Sequence, residues 1–140
     1  MDWIHENPPR WDADKSRILG GAPAGALPVV AHASGALLPG EWWRVEDAGR
    51  VVGYGWMDCT WGDAEMLLAV DAAHHGRGVG GFILDGLARE AASRGLNYLY
   101  NVVLETHPDR ERVMRWLEAR GFAKSHDGDR LKRRVGRSTG

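Results

Sequence analysis

Glycine and basic residues crowd one short segment of the chain, residues 74–81, whose sequence is HHGRGVGG. Its last six residues include four glycines and Arg77, and we call residues 74–81 the glycine loop. Glycines let a ligand oxygen approach backbone N–H groups that a Cβ would block. Apolar residues recur at helical spacing after the loop, so it opens a helix whose first N–H groups are unpaired and whose dipole is positive there. The glycine loop therefore predicts a phosphate or pyrophosphate site.

The residues before the glycine loop predict an antiparallel meander. Residues 42–45 and 51–59 flank a turn with Gly49 at a left-handed position, which indicates a hairpin. A second turn at 61–63 leads into a strand at 65–70, which is apolar at nearly every residue, as expected when both faces of a strand are covered. In the second strand, alternation places four side chains on one face. They are Val52, Tyr54, Trp56 and Asp58.

The residues after the glycine loop predict a helix, a strand and a second helix. The first helix ends at Gly95, and the strand covers residues 97–104. Thr106 and Asp109 fit a capping box for the second helix, which ends at Gly121.

The two ends of the chain show weaker patterns. Asp12 caps a short helix that runs to Leu19. Otherwise we expect the first forty residues to be irregular, with one short strand at 29–33. A final hairpin has its turn at 127–128, and residues 136–140 are expected to be a disordered tail.

Together these elements predict one α/β domain of the α+β kind over residues 1–140. A strand–helix–strand crossover places the strand at 65–70 parallel to the strand at 97–104. We therefore expect a mixed sheet, formed by an antiparallel meander, then strand–helix–strand–helix, then a C-terminal hairpin. A chain of 140 residues has room for one hydrophobic core.

The composition argues against several classes of protein. Eighteen Lys and Arg against 19 Asp and Glu leave a formal net charge of -1, unlike a general nucleic-acid binder. One cysteine, Cys59, cannot form an internal disulfide, so we expect a cytoplasmic protein. We find neither a secretory signal nor an apolar run long enough for a membrane helix. His74, His75 and His107 lack metal-ligand spacing with Cys59, so we predict no metal site.

Two motifs resemble the GNAT superfamily of N-acetyltransferases. Residues 69–80, AVDAAHHGRGVG, are similar to the family's strand ending in Val, short loop, and Gln/Arg-x-x-Gly-x-Gly/Ala signature at a helix start. Residues 116–122, WLEARGF, are similar to the family's helix that ends in Gly-Phe. With the order of elements, the resemblance covers residues 42–135.

The resemblance implies acetyl transfer to an amine with acetyl-CoA as cosubstrate. It implies that the pyrophosphate binds the amides of the glycine loop and that the pantetheine arm runs along residues 68–70, where two parallel strands splay. The Val70 amide would then polarise the thioester carbonyl, which is oxyanion stabilisation. The residues implied to bind the cosubstrate are Leu68, Ala69, Val70, His75, Gly76, Arg77, Gly78, Val79, Gly80 and Gly81.

Two residues depart from the family pattern. His75 stands where the family prefers Gln or Arg, although a neutral imidazole still donates one hydrogen bond. Leu117 stands where many members carry a tyrosine that protonates the leaving thiolate. Leucine cannot do so. Either another group serves, or the thiolate, with a free-thiol pKa of about 8.5, leaves without a dedicated acid.

An amine acceptor is mostly protonated at neutral pH, so a base must remove a proton from it directly or through water. Glu65, which opens the central strand, is the first candidate for this base, and Asp58 is the second. His107 follows the C-terminal end of a parallel strand, where ligands bind in such sheets, and could be acid or base. Tyr100, which shares a face with Tyr98, could replace the absent tyrosine. The alternative for each is a structural role: an exposed charge for Glu65 and Asp58, a surface residue for His107, and packing against a helix for Tyr100.

Two further groups of residues have two interpretations each. Four tryptophans around the meander belong to the core or line the acceptor cleft. They are Trp42, Trp43, Trp56 and Trp61. Four basic residues near the C-terminus form a solvated hairpin face or bind an anion such as the 3′-phosphate of CoA. They are Arg130, Lys132, Arg133 and Arg134.

We expect a small-molecule amine as acceptor and no nucleic-acid or membrane partner, and we leave a homodimer open. A protein or peptide N-acetyltransferase and a non-catalytic acyl-CoA-binding regulator are alternatives. A dinucleotide-dependent oxidoreductase is a remote one, because Gly76-x-Gly78-x-x-Gly81 matches a dinucleotide fingerprint and Glu105 lies where a ribose-binding acid would. Against it, residues 71–75 separate the loop from its strand, and too little chain follows for a doubly wound sheet.

Overall fold

The computed structural model describes residues 1–22, 32–124 and 130–135. These residues form a seven-stranded sheet of order β1-β2-β3-β4-β5-β7-β6 with three α-helices. The strands are β1 (Asp2–Glu6), β2 (Glu41–Asp47), β3 (Arg50–Thr60), β4 (Asp63–Val70), β5 (Tyr98–Val102), β6 (Ala123–Lys124) and β7 (Arg130–Arg134). The helices are α1 (Ala13–Gly20), α2 (Val79–Ser93) and α3 (Arg110–Glu118), and a 3-10 turn covers Ala72–His74. None of these helices is long and apolar enough to cross a membrane.

The mixed α/β sheet predicted from the sequence is confirmed. β1 to β4 pair antiparallel in chain order, β4 pairs parallel with β5 across the α2 crossover, and β7 pairs antiparallel with both β5 and β6. The predicted C-terminal hairpin is present as the pairing of β6 with β7, and β7 lies between β5 and β6. The predicted turn at 127–128, the tail at 136–140 and most of the strand at 29–33 lie outside the described residues.

Two tight turns build the meander, and both have left-handed residues at their two central positions. Ala48 and Gly49 have φ angles of 52° and 79° between β2 and β3. Trp61 and Gly62 have φ angles of 52° and 82° between β3 and β4. Turns of this kind match the right-handed twist of the strands they join, so they set the register of the meander.

A bulge changes the face assignment at the start of β3. Val45 pairs with Gly53, but the next residue of β2, Glu46, pairs with Val51, so Val52 has no partner on β2. As a result Val51 packs with Tyr54, while Val52 joins the core on the other face of the sheet. The prediction that Val52 shares a face with Tyr54 is therefore wrong, because an extra residue in one strand inverts the alternation beyond it.

The first strand, β1, was not predicted. It forms the edge of the sheet by pairing with β2 from Asp2↔Glu46 to Glu6↔Trp42. Trp3 stacks on Trp43 with ring centroids 5.6 Å apart and covers Gly86 of α2 so closely that a Cβ there would lie 2.7 Å from the indole. β1 is therefore tied to α2 as well as to the sheet.

Helices cover the two faces of the sheet unequally. α2 and α3 pack on one face, where the larger apolar cluster contains Met57, Ile83 and Leu117. On the opposite face a smaller cluster joins Ile18 of α1 to Tyr54. α1 begins where predicted, since the Asp12 carboxylate accepts a hydrogen bond of 2.8 Å from the Lys15 amide.

The start of α3 differs from the prediction. The helix begins at Arg110 with Asp109 as its N-cap residue, and the Asp109 side chain makes no cap hydrogen bond. The capping box on Thr106 is therefore wrong. His107 explains the later start, because its Nδ1 accepts a hydrogen bond of 2.9 Å from the Asp109 amide and its own amide donates to Leu104, which folds these residues into a turn.

Candidate active site

A gap opens in the sheet between β4 and β5. The two strands pair over three rungs only, Asp63↔Tyr98, Ala64↔Leu99 and Glu65↔Tyr100. Just beyond the last rung, the Asn101 side chain donates a hydrogen bond of 2.8 Å to the Met66 carbonyl. β4 continues to Val70 without β5 beside it. The predicted splay of the two parallel strands is thus present, and the pair Glu65 and Tyr100 marks its closed end.

Backbone amides of β4 line the gap. The Asp71 amide donates to the Val52 carbonyl of β3 over 2.8 Å. In an antiparallel pair, residues alternately face towards and away from the partner strand. The amides of Leu68 and Val70 therefore face away from β3 and into the gap, whereas the amide of Ala69 faces β3. Of the three β4 residues implied to bind a cosubstrate, two offer their amides to it.

The glycine loop is open at the positions where a phosphate would approach. Gly76 and Gly78 have φ angles of 77° and 82°, and a Cβ built on either meets no atom within 4 Å. Among the described residues, no backbone hydrogen bond of good geometry is formed by the amides of residues 76–81. The side chain of Val79 points into the core and that of Arg77 is exposed. Unpaired amides at the N-terminus of a 15-residue helix can hold an anion.

Hydrogen bonds at its first residues anchor the glycine loop to the sheet. His75 Nε2 lies 3.2 Å from the Val70 carbonyl, to which it donates when the proton is on that nitrogen. In that tautomer the His75 side chain is used within the protein, at the end of β4.

Asp71 joins the loop to α1 as well. Its carboxylate accepts a hydrogen bond of 2.6 Å from Arg17 of α1, and His74 Nδ1 lies 3.3 Å from it. Burial of the carboxyl opposes ionisation, but hydrogen bonds from the Ala73 amide and from Arg17 outweigh it, so the pKa of Asp71 lies below its usual value. Asp71 stays charged at neutral pH and fixes the turn that precedes the loop.

Trp116 of α3 and Arg120 just after that helix, which the sequence analysis did not single out, lie against the start of α2. A Cβ on Gly80 would lie 3.3 Å from the Trp116 ring, so a glycine there lets α3 lie close to the start of α2 without displacing that ring. The Arg120 guanidinium lies 3.9 Å from the centre of the same ring and borders Gly81. Both residues belong to the WLEARGF motif, so the sequence could have identified them as neighbours of the glycine loop. They place a cation and an aromatic face beside the predicted anion site.

The structure brings three of the four predicted catalytic residues together. Asp58 of β3 pairs with Glu65 of β4, and Glu65 pairs with Tyr100 of β5, so the three side chains stand on one face of the sheet. This face is opposite to the one that α2 covers. Tyr100 is buried and Glu65 half-buried, while Asp58 is exposed.

The pKa of Tyr100 lies above its ordinary value of 10. Burial of the phenol is the main cause, and the negative charges of Glu65 and Asp58 add to it, whereas Arg130 acts in the opposite direction. Tyr100 therefore remains protonated at neutral pH. A protonated phenol beside a carboxylate provides both a proton donor and a proton acceptor at the closed end of the gap.

The fourth candidate, His107, lies apart from the other three. It follows the C-terminal end of β5, and its Nδ1 is used as the acceptor from the Asp109 amide. Leu117 is 2% exposed and belongs to the core, so its position offers neither a polar group nor access. The described residues contain no group of three or more His, Cys, Asp or Glu side chains arranged to hold a metal ion.

The four tryptophans of the meander divide between core and surface. Trp42 and Trp43 are buried, as predicted for core residues, and Trp61 is 98% exposed at a turn. Trp56 is half-buried and stands on the same face as Asp58, where its Nε1 donates to the Pro39 carbonyl over 3.3 Å. Trp56 is thus the tryptophan that borders the Asp58–Glu65–Tyr100 row.

Comparison with known proteins agrees with this geometry. The family model for the acetyltransferase (GNAT) domain matches residues 39–124, which is more than half of the chain. No curated protein matches the chain.

Among solved structures, a phosphinothricin acetyltransferase of the GNAT superfamily from Sinorhizobium meliloti, in complex with AcCoA, aligns with a TM-score of 0.56 and 18% identity over 71% of this chain and 63% of that one. The N-acetylglutamate synthase from Neisseria gonorrhoeae, complexed with coenzyme A and N-acetyl-glutamate, aligns with a TM-score of 0.72 and 19% identity over 98% of this chain and 36% of that one.

The ribosomal-protein-S18-alanine N-acetyltransferase from Escherichia coli aligns with a TM-score of 0.61 and 12% identity, over 98% of this chain and 96% of that one. The chain thus spans less than two thirds of the first two of these proteins and nearly all of the third. At these identities the likeness concerns the fold. The sheet with its gap, the open glycine loop and the match of the family model place this chain in the GNAT family of acetyltransferases.

Proposed function

We propose that this protein transfers an acetyl group from acetyl-CoA to the primary amine of a small molecule, by direct attack while both substrates are bound. One observation carries the proposal. The gap between β4 and β5 has free amides at its open end and a carboxylate–phenol pair at its closed end. A thioester arm that enters the gap from the glycine loop reaches this pair. When bound, acetyl-CoA supplies an activated acetyl group, which passes from sulfur to the amine nitrogen.

The residues present fit such a cosubstrate. Gly76 and Gly78 leave open the space that a Cβ would fill, and the unpaired amides of the glycine loop point to an anionic ligand. Arg77 and Arg120 add positive charge on either side. The amides of Leu68 and Val70 can donate hydrogen bonds to an extended arm that lies beside β4 like an added strand.

The chain's own residues divide the chemistry between them. The Leu68 amide, which is the gap-facing amide nearer to the Glu65–Tyr100 rung, donates to the thioester carbonyl oxygen, where negative charge develops. The Val70 amide lies about 16 Å along β4 from Glu65 and therefore binds the pantetheine arm rather than the reacting carbonyl. Glu65 takes a proton from the amine nitrogen and passes it to solvent. Tyr100 gives its proton to the leaving thiolate and recovers one from the amine nitrogen. The N–C bond forms as the C–S bond breaks, and the two protons that the nitrogen loses end on the thiolate and in solvent.

The position of Glu65 suits the role of general base better than that of His107. It stands in the last rung before the gap, whereas His107 lies in the turn before α3 and already uses Nδ1 to accept a hydrogen bond. Tyr100 supports the role of acid because its raised pKa keeps its proton in place. Asp58 stands one strand further from the gap and adds negative charge that attracts a protonated amine.

A protein that binds acyl-CoA without turnover is the second candidate, favoured by Leu117, which fills the core where many relatives would carry the acid. Thermal unfolding with acetyl-CoA, CoA and NAD, followed by thiol release across a panel of amines, separates the two. The proposed enzyme is stabilised by acetyl-CoA and releases thiol with at least one small amine. Stabilisation without thiol release from any amine would contradict the proposal.

Substitution in the glycine loop tests the cosubstrate site. Gly78→Glu places a carboxylate among the amides that hold the pyrophosphate, so we expect acetyl-CoA affinity to fall at least 100-fold in a calorimetric titration. Gly95→Glu is the matched control, because Gly95 also has a positive φ, of 71°, and open space at its Cβ, but lies at the other end of α2. If Gly78→Glu binds acetyl-CoA as tightly as Gly95→Glu does, the loop is not the site.

A further inference from the structure

Four residues form a row across four strands on the face of the sheet opposite α2. Asp58 pairs with Glu65, Glu65 with Tyr100, and Tyr100 with Lys132 of β7, so their side chains stand on one face. Neighbouring strands lie about 4.8 Å apart, which makes the row about 15 Å long. Arg130, two residues before Lys132, stands on the same face. The row is negative at one end and positive at the other.

The charges of this row have no ion-pair partners among the described residues. Asp58 and Glu65 make no contact with a cation, and Arg130 and Lys132 make none with a carboxylate, although many other charged side chains of the chain are paired. Examples of the paired kind are Lys15 with Glu6, Arg17 with Asp71, and Arg44 with Glu46. Both ends of the row are therefore free to bind a ligand.

Tyrosine rings keep the opposite charges of the row apart. The Arg130 guanidinium lies 4.5 Å from the centre of the Tyr100 ring, and Lys132 Nζ lies 5.5 Å from that of Tyr98. A cation over an aromatic ring is held by the ring quadrupole, and its N–H donors are not used in an ion pair with a carboxylate of the protein. The cations therefore stand on the far side of Tyr100, about one strand spacing from Tyr100 and two, or about 10 Å, from Glu65.

We infer that the acceptor is an amine that also carries an anionic group, such as a carboxylate, about 4–5 Å from its nitrogen. Glu65 and Lys132 stand two strand spacings apart, about 10 Å, and a hydrogen bond of about 3 Å at each end leaves this distance for the ligand. The inference deepens the proposed function and rests on it. The ammonium group binds at Glu65 with Asp58 behind it, and the anionic group binds Arg130 and Lys132. Tyr100 lies between the two, beside the nitrogen that reacts. A simple alkylamine would leave the two cations without a ligand.

Matched acceptors test this inference. Thiol release at saturating acetyl-CoA gives kcat/KM for 4-aminobutyrate and for butylamine, which differ only in the carboxylate. We expect 4-aminobutyrate to be preferred at least tenfold. Glycine, whose charges are closer together, should be a poorer substrate than 4-aminobutyrate.

Variants assign the preference to the row. Arg130→Gln and Lys132→Gln should each reduce the ratio of the two kcat/KM values at least threefold. The ratio removes any effect that Arg130 has on the pKa of Tyr100, since both acceptors use the same phenol. Arg133→Gln and Lys124→Gln are the matched controls. Arg133 pairs with Leu99 and Lys124 with Leu131, so both stand on the other face of the sheet, and both variants should keep the wild-type ratio.

The outcomes separate the inference from the proposed function. Equal kcat/KM values, or a preference for butylamine, overturn the inference and leave amine acetylation standing. A preference for 4-aminobutyrate that survives both Arg130→Gln and Lys132→Gln also overturns it. Binding of acetyl-CoA without thiol release from any amine overturns the proposed function and the inference with it.

Discussion

Tyr100 is the residue that we propose as the acid in place of a tyrosine at Leu117. Leu117 fills the core, and no sequence pattern shows which other proton donor reaches the gap. The structure narrows the choice because Glu65 and Tyr100 form the last rung of the parallel pair. Periodicity placed Tyr100 on the right strand and face, but its neighbour across the sheet depends on the register between β4 and β5. That register joins residues 35 positions apart in the chain, which local spacing does not encode.

Removal of the Tyr100 hydroxyl tests its role as acid. We expect Tyr100→Phe to lower kcat by about 100-fold, the lower range for general acid catalysis, with acetyl-CoA affinity unchanged. Tyr98→Phe is the control, since Tyr98 stands on the same face two residues away but is 37% exposed and beside the first rung of the pair. Equal kcat values for the two variants would exclude Tyr100 as the acid.

The raised pKa of Tyr100 also predicts a pH dependence. Because burial and Glu65 raise it above 10, the phenol keeps its proton throughout the neutral and mildly alkaline range. In a pH–rate profile, wild-type kcat should therefore show no decrease from deprotonation of Tyr100 below pH 10. A descending limb centred near pH 8 that disappears in Tyr100→Phe would contradict the raised pKa.

At the scale of elements, the glycine loop is held by the residues before it. Asp71 directly follows β4, caps the 3-10 turn and binds Arg17 of α1, so three elements meet at this residue. The sequence predicts the loop itself, because glycines and a helix start are local signals. It does not predict the anchor, since Arg17 and Asp71 are 54 residues apart.

Asp71 contributes stability in a defined pH range. Its folded pKa lies below that of the unfolded chain, so its contribution is present above the unfolded value of about 3.9 and is lost as the pH falls through the folded pKa. We expect Asp71→Asn to lower the free energy of unfolding at pH 7 by about 1.5–3 kcal/mol in urea titrations. The difference from wild type should shrink as the pH is lowered below 4.

Asp14→Asn provides the control for Asp71. Asp14 also binds Arg17, at 3.0 Å, but its side chain is 46% exposed, so the expected loss is below about 1 kcal/mol. Equal losses for the two variants would mean that the anchor is an ordinary surface ion pair.

The contact between β1 and α2 is likewise testable. Gly86→Ala adds a Cβ only 2.7 Å from the Trp3 indole, and we expect it to lower the free energy of unfolding by about 1–3 kcal/mol. In a Trp3→Ala background the same change should cost nothing and even stabilise by about 1 kcal/mol, because alanine is the better helix former. An equal cost in both backgrounds, measured by urea unfolding, would show that Trp3 does not impose the glycine.

At the scale of the whole molecule, local signals predicted the mixed sheet and its element order, and non-local pairing accounts for the errors. β1 is five residues of mixed polarity whose partner begins 35 residues after it ends, so no local alternation reveals it. The bulge at Val52 depends on how β2 pairs with β3 around Val45. The late start of α3 depends on the hydrogen bond from the Asp109 amide to His107. The candidate site was predictable where it is made of backbone and glycine, and less so where side chains from separate strands meet.

The sheet also has a consequence for the order of events in catalysis. The glycine loop leads into α2, which covers one face, while the Asp58–Glu65–Tyr100 row stands on the other, and the gap connects the two. Neither ligand has to leave before the other can enter or depart. For the proposed function, the described residues are therefore compatible with random addition and release of the cosubstrate and the acceptor.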